Sequence, residues 1–205
     1  MTKRFHLVLG THNQKKRREL ELLLAGLPID VQTLEDFDSA LSVEETGTTF
    51  AENAALKATE QARHLDAWVM GEDSGLSVKA LKGQPGVYSA RYAGEDGNDA
   101  ANNAKLVDAL KDVALEKRDA WYTCHMALSN PQGQVLISVE ETCRGRIISQ
   151  PRGEAGFGYD PHFELPEYHL TFAELGDTVK SVLSHRAKAM RRFLKQFTGL
   201  IASNA

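Results

Sequence analysis

Glu72 and Asp73 stand side by side in "GEDSGLSV" (71–78), directly after the apolar run "AWVM". Two adjacent carboxylates at the mouth of a buried strand repel each other, and desolvation sharpens the conflict unless a cation is near. Acids with few nitrogen or sulfur companions form the ligand set of a hard ion such as Mg2+, which keeps water and shares phosphate oxygens. A plainer reading leaves Glu72 exposed and makes Asp73 a turn cap through Ser74 and Gly75. Further acids, Glu44 and Glu45 in "EETG" (44–47), lie just ahead of a helix start, where a solvated acidic loop is also favourable.

Cations and donors gather elsewhere. In "THNQKK" (11–16), Thr11 and Asn13 would line a turn, with Lys15 and Lys16 in the first turn of the following helix. The helix dipole disfavours cations there, and an anion held between the lysines and free backbone N–H groups would remove the conflict. Read plainly, "KKRR" at 15–18 is a solvated helix face. The remaining group is split between "FGYDP" (157–161) and "SHR" (184–186). Phe157 and Tyr159 offer aromatic surface, Ser184 is a candidate N-cap, and His185, Arg186 and Lys180 are donors for an oxygen-rich ligand. A core aromatic pair beside a solvated helix start would account for the same residues. Neither GxxxxGK[ST] nor GxGxxG occurs, which disfavours P-loop and Rossmann nucleotide binding.

The elements that must position these groups follow from periodicity. "FHLVLGT" (5–11) predicts a first strand feeding a loop. Leu20, Leu23, Leu24 and Leu27 fall at i, i+3, i+4, i+7 and predict a helix over 14–25, ended by Gly26 and Pro28. "IDVQTL" (29–34) predicts a second strand. Thr49 and Glu52 have the capping-box pattern, so a second helix starts there and runs to about residue 65. "AWVMGED" (67–73) reads as a buried central strand with the acids at its end. The breaker-rich "KGQPGVYSARYAG" (82–94) reads as a loop, 98–113 as a helix, and "NPQG" (130–133) as the turn of a long hairpin. Beyond a glycine-rich loop at 153–158, "LPEYHLTFAEL" (165–175) reads as turn. A last amphipathic helix carries Met190, Phe193, Leu194 and Phe197, and 199–205 read as a frayed tail. The succession defines an α/β fold with a mixed sheet.

With 205 residues the chain fits a single domain over 1–205, or one domain with two lobes around a cleft. A net charge of −4 argues against bulk attraction to nucleic acid or anionic membrane. Only Cys124 and Cys143 occur, without CxxC spacing, which suits buried thiols in a reducing compartment. No stretch approaches the roughly 20 apolar residues of a membrane span, so the expectation is a cytoplasmic protein with no membrane partner.

"THNQKKRREL", "EETGTTFAENAALKA", "EDSGL", "PGVYSARYAG", "GFGYDP" and "KSVLSHR" resemble, in that order, the blocks of the inosine triphosphate pyrophosphatase family. The resemblance runs from residue 11 to 186. It implies an elongated, mixed central sheet with flanking helices, two lobes around a deep active-site cleft, and a homodimer. It implies Mg2+-dependent hydrolysis of non-standard purine nucleoside triphosphates (ITP, dITP, XTP) to the monophosphate and pyrophosphate, cleansing the nucleotide pool. By position, Thr11, His12, Asn13, Gln14, Lys15 and Lys16 match the triphosphate-binding segment, with Asn13 and Lys16 its key side chains. Glu44 and Asp73 match the metal-binding acids, with Glu72 beside them. Asp73 also matches the residue that activates water, Ser74 a substrate contact, and Lys57 a lysine facing the phosphates. Phe157, Gly158, Tyr159, Asp160, Lys180, His185 and Arg186 match the nucleoside-binding set.

Two departures stand out. Glu72 replaces the first Asp of the usual DDSG and is one methylene longer. His12 replaces a glycine, which would carry a conformational cost if that position needs a positive φ. On this reading Mg2+ at Glu44, Asp73 and Glu72 neutralises phosphate charge, Asp73 handles the water, and Lys16 and Lys57 stabilise the leaving group. The alternatives are a related house-cleaning pyrophosphatase for other modified nucleotides, or a nucleotide-binding regulator without turnover.

Overall fold

A short, mostly apolar run at the N-terminus forms strand β1 (Phe5–Leu9) in the computed structural model, which describes residues 4–95 and 97–203. Helix α1 (Gln14–Leu24) follows and buries Leu20 and Leu24. Strand β2 (Ile29–Thr33) pairs parallel to β1, and β3 (Val69–Val78) pairs parallel to the other edge of β1. Between β2 and β3 lies helix α2 (Phe50–Leu65). Its start is fixed reciprocally: the Thr49 hydroxyl accepts the Glu52 N–H, and the Glu52 carboxylate accepts the Thr49 N–H.

Helix α3 (Asp99–Ala109) leads to β4 (Asp119–Ser129) and β5 (Val135–Ile147), joined by a turn in which the Gly133 N–H donates to the Asn130 carbonyl. Short antiparallel strands β6 (Phe163–Leu165) and β7 (Leu170–Thr171) are followed by α4 (Phe172–Leu183) and α5 (His185–Ser203). The seven strands form one mixed sheet in the order β2-β1-β3-β4-β5-β6-β7, so the α/β mixed-sheet expectation is met.

By internal contacts the chain divides into two compact units. The first comprises residues 1–73, 124–141 and 188–205; Leu7, Leu9, Leu20, Met70, Met126 and Phe193 belong to its main core. The second comprises 74–123 and 142–187, with a core that includes Leu76, Leu106, Tyr122, Phe163 and Phe172. In the first unit α2 lies directly on β3 at Gly71. A Cβ there would come within 2.2 Å of the Ala54 carbonyl oxygen and 2.6 Å of the Ala58 nitrogen. Ala54 and Ala58, spaced four apart, keep that helix face small.

Several sequence expectations change. The strand expected to end at Asp73 continues to Val78, because Leu76 and Val78 bury completely and the chain stays buried on both faces past Ser74 and Gly75. Glu72 and Asp73 therefore lie inside the strand. Within the expected loop at 82–94, Gly86–Arg91 forms a 3-10 helix. The helix expected over 98–113 ends at Ala109, with Asn98 as its cap. The segment read as turn contains the start of α4, whose Thr171–Glu174 capping box repeats the Thr-Phe-Ala-Glu of α2 residue for residue. Gly176, with φ 72° and ψ 176°, interrupts that helix and breaks its pattern. Helix α5 includes residues 199–203 of the expected tail; residues 204–205 lie outside the described residues.

Candidate active site

The acids of β3 are buried and each is matched to a lysine within the first unit. Glu72 is 1% exposed; its Oε2 lies 3.1 Å from Lys16 Nζ, and its Oε1 accepts from the Cys124 thiol at 3.4 Å. Asp73 is 4% exposed, and both its oxygens are engaged by α2. Lys57 Nζ donates to Oδ1 at 3.1 Å and Asn53 Nδ2 donates to Oδ2 at 3.2 Å. Burial pushes the Asp73 carboxyl above its ordinary value, and the charges of Lys57 and Lys16 only partly offset that push.

The "EETG" segment meets this cluster through Glu45. Lys57 Nζ donates to Glu45 Oε1 at 3.1 Å, and the Gly47 N–H donates to Asn53 Oδ1 at 2.8 Å. Glu44 is exposed, and its backbone carbonyl accepts the Thr46 N–H. Among the described residues no three His, Cys, Asp or Glu side chains are grouped closely enough to hold a metal ion; lysines stand between the acids. Asn53 was not singled out in sequence, and Glu45 appeared there only as one of the acids of "EETG". Asn53 sits four residues before Lys57 on one helix face, a spacing that could have flagged it.

At the N-terminus of α1, Asn13 is the cap: its Oδ1 accepts the N–H groups of Lys15 and Lys16 at 3.0 and 3.1 Å. Those N–H groups, expected to face an anion, are satisfied by Asn13 instead. Thr11 Oγ1 accepts the Asn13 N–H at 3.2 Å, tightening the same turn. His12 hydrogen-bonds the Leu41 carbonyl through Nε2 at 2.9 Å. Among the described residues the non-glycine ones with positive φ are Asp66, Lys82 and His169, so His12 pays no left-handed penalty. Gln14 contacts Glu35 at 3.4 Å, and Lys15 is exposed on the helix start.

In the second unit, the Asp160 carboxylate organises the aromatic group. Its Oδ2 accepts from Lys180 Nζ at 2.6 Å and from the Phe157 N–H at 2.9 Å, and its Oδ1 accepts from the Tyr122 hydroxyl at 3.4 Å. Burial, reinforced by Asp160, raises the Tyr122 hydroxyl well above its usual range, keeping it a donor. Lys180 Nζ lies 4.4 Å from the centre of the half-buried Phe157 ring, and the Arg186 guanidinium 5.8 Å from it. Arg186, 2% exposed, donates to Ser74 Oγ at 2.8 Å. His185 stacks on Tyr122 with centroids 4.6 Å apart and 8° between planes. Tyr159 is a core residue, its hydroxyl donating to the Ser89 carbonyl at 2.8 Å. Gly158 takes φ 64°, its N–H bound by Asp99 and its carbonyl by Asn103. Of the two aromatics read as surface, only Phe157 presents a ring.

Fold and side-chain chemistry define a class: a mixed-sheet α/β protein with lysine-balanced buried acids in one unit and a cation-faced aromatic ring in the other. The chain belongs to the Ham1 family, whose model matches residues 7–196. It is 54% identical to the dITP/XTP pyrophosphatase of Rhodopirellula baltica over all of this chain and 99% of that protein. It is 49% identical to the dITP/XTP pyrophosphatase of Geobacillus kaustophilus over 95% of each. Among solved structures, a HAM1 protein from Coxiella burnetii superposes with a TM-score of 0.86 at 36% identity, covering 95% of this chain and 99% of that one.

Proposed function

We propose that this protein hydrolyses non-standard purine nucleoside triphosphates, dITP and XTP foremost, to the monophosphate and pyrophosphate, with Mg2+ as cofactor. The carrying observation is Asp73, a buried carboxylate aimed by Lys57 and Asn53 beside the Lys16–Glu72 pair. Its raised proton affinity, a product of burial, suits a group that accepts a proton from water. The curated relatives named above carry the activity in their names.

Glu44, Asp73 and Glu72 carry the carboxylate chemistry a hard divalent ion takes, with Glu45 on the same loop as Glu44; lysines now pair with Glu72 and Asp73, and among the described residues no three acids converge on one point. Such an ion, when bound, neutralises phosphate charge and lowers the pKa of a water. Asp73 positions the attacking water and takes its proton; each of its oxygens keeps lone-pair capacity beyond the bonds from Lys57 and Asn53. Lys16 and Lys57 supply positive charge for the oxygens of the departing pyrophosphate. On the nucleoside side, Phe157 stacks on the base and donors from His185, Arg186 and Lys180 address its 6-oxo group. Adenine presents an amino donor at that position and leaves those donors unsatisfied.

The reading includes a homodimer, as implied by the family resemblance, acting in the cytoplasm, as expected from the two cysteines read as buried thiols of a reducing compartment. No described helix is long and apolar enough to cross a membrane. The deciding experiment is pyrophosphate release over a panel of ITP, dITP, XTP, GTP, ATP and modified pyrimidine nucleotides, with and without Mg2+. Preferred release from dITP and XTP, dependent on the ion, supports the reading. Preference for a modified pyrimidine, or binding without release, overturns it.

A further inference from the structure

We infer that Asn53 is a positioning residue for hydrolysis, one carboxamide that fixes both the direction of Asp73 and the place of the 44–47 loop. Asn53 is fully buried near the start of α2. The Gly47 backbone N–H at 2.8 Å can only donate, so the atom facing it is the carboxamide oxygen. The nitrogen then faces Asp73 Oδ2 at 3.2 Å, where a carboxylate can only accept. The donor and acceptor are thus assigned by their partners.

Lys57, one helical turn later, does the parallel work: it holds Asp73 Oδ1 and, on the same loop, Glu45. Two side chains of one helix face therefore grip both oxygens of Asp73 and two points of the loop. Their contributions differ in kind. Lys57 brings charge; Asn53 brings direction without charge. A carboxylate at 53 could still accept from Gly47 but could not donate to Asp73, and an alkyl group could do neither.

The activity part of this inference rests on the hydrolytic reading above; the positional part does not. The test compares Asn53→Asp and Asn53→Leu with wild type, by steady-state kinetics on dITP and by hydrogen exchange at the Gly47 amide. We expect kcat to fall about 100-fold in both, as for a displaced reacting group, with KM within about threefold of wild type. The Gly47 amide stays protected in Asn53→Asp and exchanges freely in Asn53→Leu. A kcat within twofold of wild type in either variant, or equal Gly47 exchange in wild type and Asn53→Leu, overturns the inference.

Should a change at the buried position unfold the protein, Gly47→Ala reaches the same contact from the half-buried loop. Its Cβ would lie 2.5 Å from Asn53 Oδ1 and must displace it. It is expected to lower kcat with little change in KM; an unchanged kcat overturns the inference. A wild type that releases no pyrophosphate sinks the hydrolytic reading instead, and the exchange comparison still decides the positional claim.

Discussion

Lys180 and Asp160 form an ion pair at 2.6 Å with side chains only 4% and 2% exposed, and the ammonium also faces the Phe157 ring. Breaking such a pair from one side leaves a buried charge uncompensated, at a cost of about 3–5 kcal/mol. Lys180→Met should therefore lower the free energy of unfolding in urea by that order. Adding Asp160→Asn should restore most of the stability without restoring affinity for dITP. If the double variant is no more stable than the single one, charge burial is not the source of the loss.

Asp73→Asn keeps the shape of the side chain and its bond from either Lys57 or Asn53 while removing the proton acceptor. Turnover should fall by roughly 10²–10⁴, with little change in melting temperature, since Lys57 retains Glu45. The wild-type profile of kcat/KM against pH should show an acid limb above 3.8, because burial raises Asp73 in the free enzyme. Lys57→Gln removes a charge that favours the carboxylate, so the limb of its residual activity should move to higher pH. A limb that stays put would detach it from Asp73.

Glu164 behaves in the opposite sense. Burial pushes its carboxyl up, but hydrogen bonds and charge from Arg146 and Arg152 outweigh burial and hold it below 4.5. A depressed folded-state value gives stability that is complete above the unfolded value and is lost as pH falls through the folded one. Wild type should thus exceed Glu164→Gln in stability at pH 7, with the gap closing as the pH drops below 4.5. A gap independent of pH would point to packing alone.

Phe157 presents its ring without belonging to the core. Base stacking on an aromatic side chain is worth about 1–3 kcal/mol, so Phe157→Leu should raise KM for dITP on the order of tenfold with little change in melting temperature. An unchanged KM would remove this ring from the base-binding role.

The fold was legible where local pattern and tertiary outcome agree. The leucines of α1, the Thr49–Glu52 cap and the 130–133 turn each point to the element that forms. Pattern failed where a breaker was read as an end. Ser74-Gly75 looked like the close of β3, but the burial of Leu76 and Val78 carries the strand on. The second Thr-Phe-Ala-Glu went unread because Gly176 disrupts the helix it starts. At the site, residue type could not separate Phe157 from Tyr159, since burial decides which ring is available. Asn53, and the choice of Glu45 over Glu44 as the acid that meets Lys57, were hidden for a related reason: each depends on a hydrogen bond to a partner distant in sequence.

Gly71 touches no ligand in the proposed reaction, yet any larger residue there would lift α2, and with it Asn53 and Lys57, away from Asp73. In a saturation-mutagenesis survey this position should therefore appear as intolerant as a reacting group, although it carries no chemistry. Selection acting on catalysis would police a hydrogen atom, and adaptive drift toward new substrates must find its room on other surfaces of the chain.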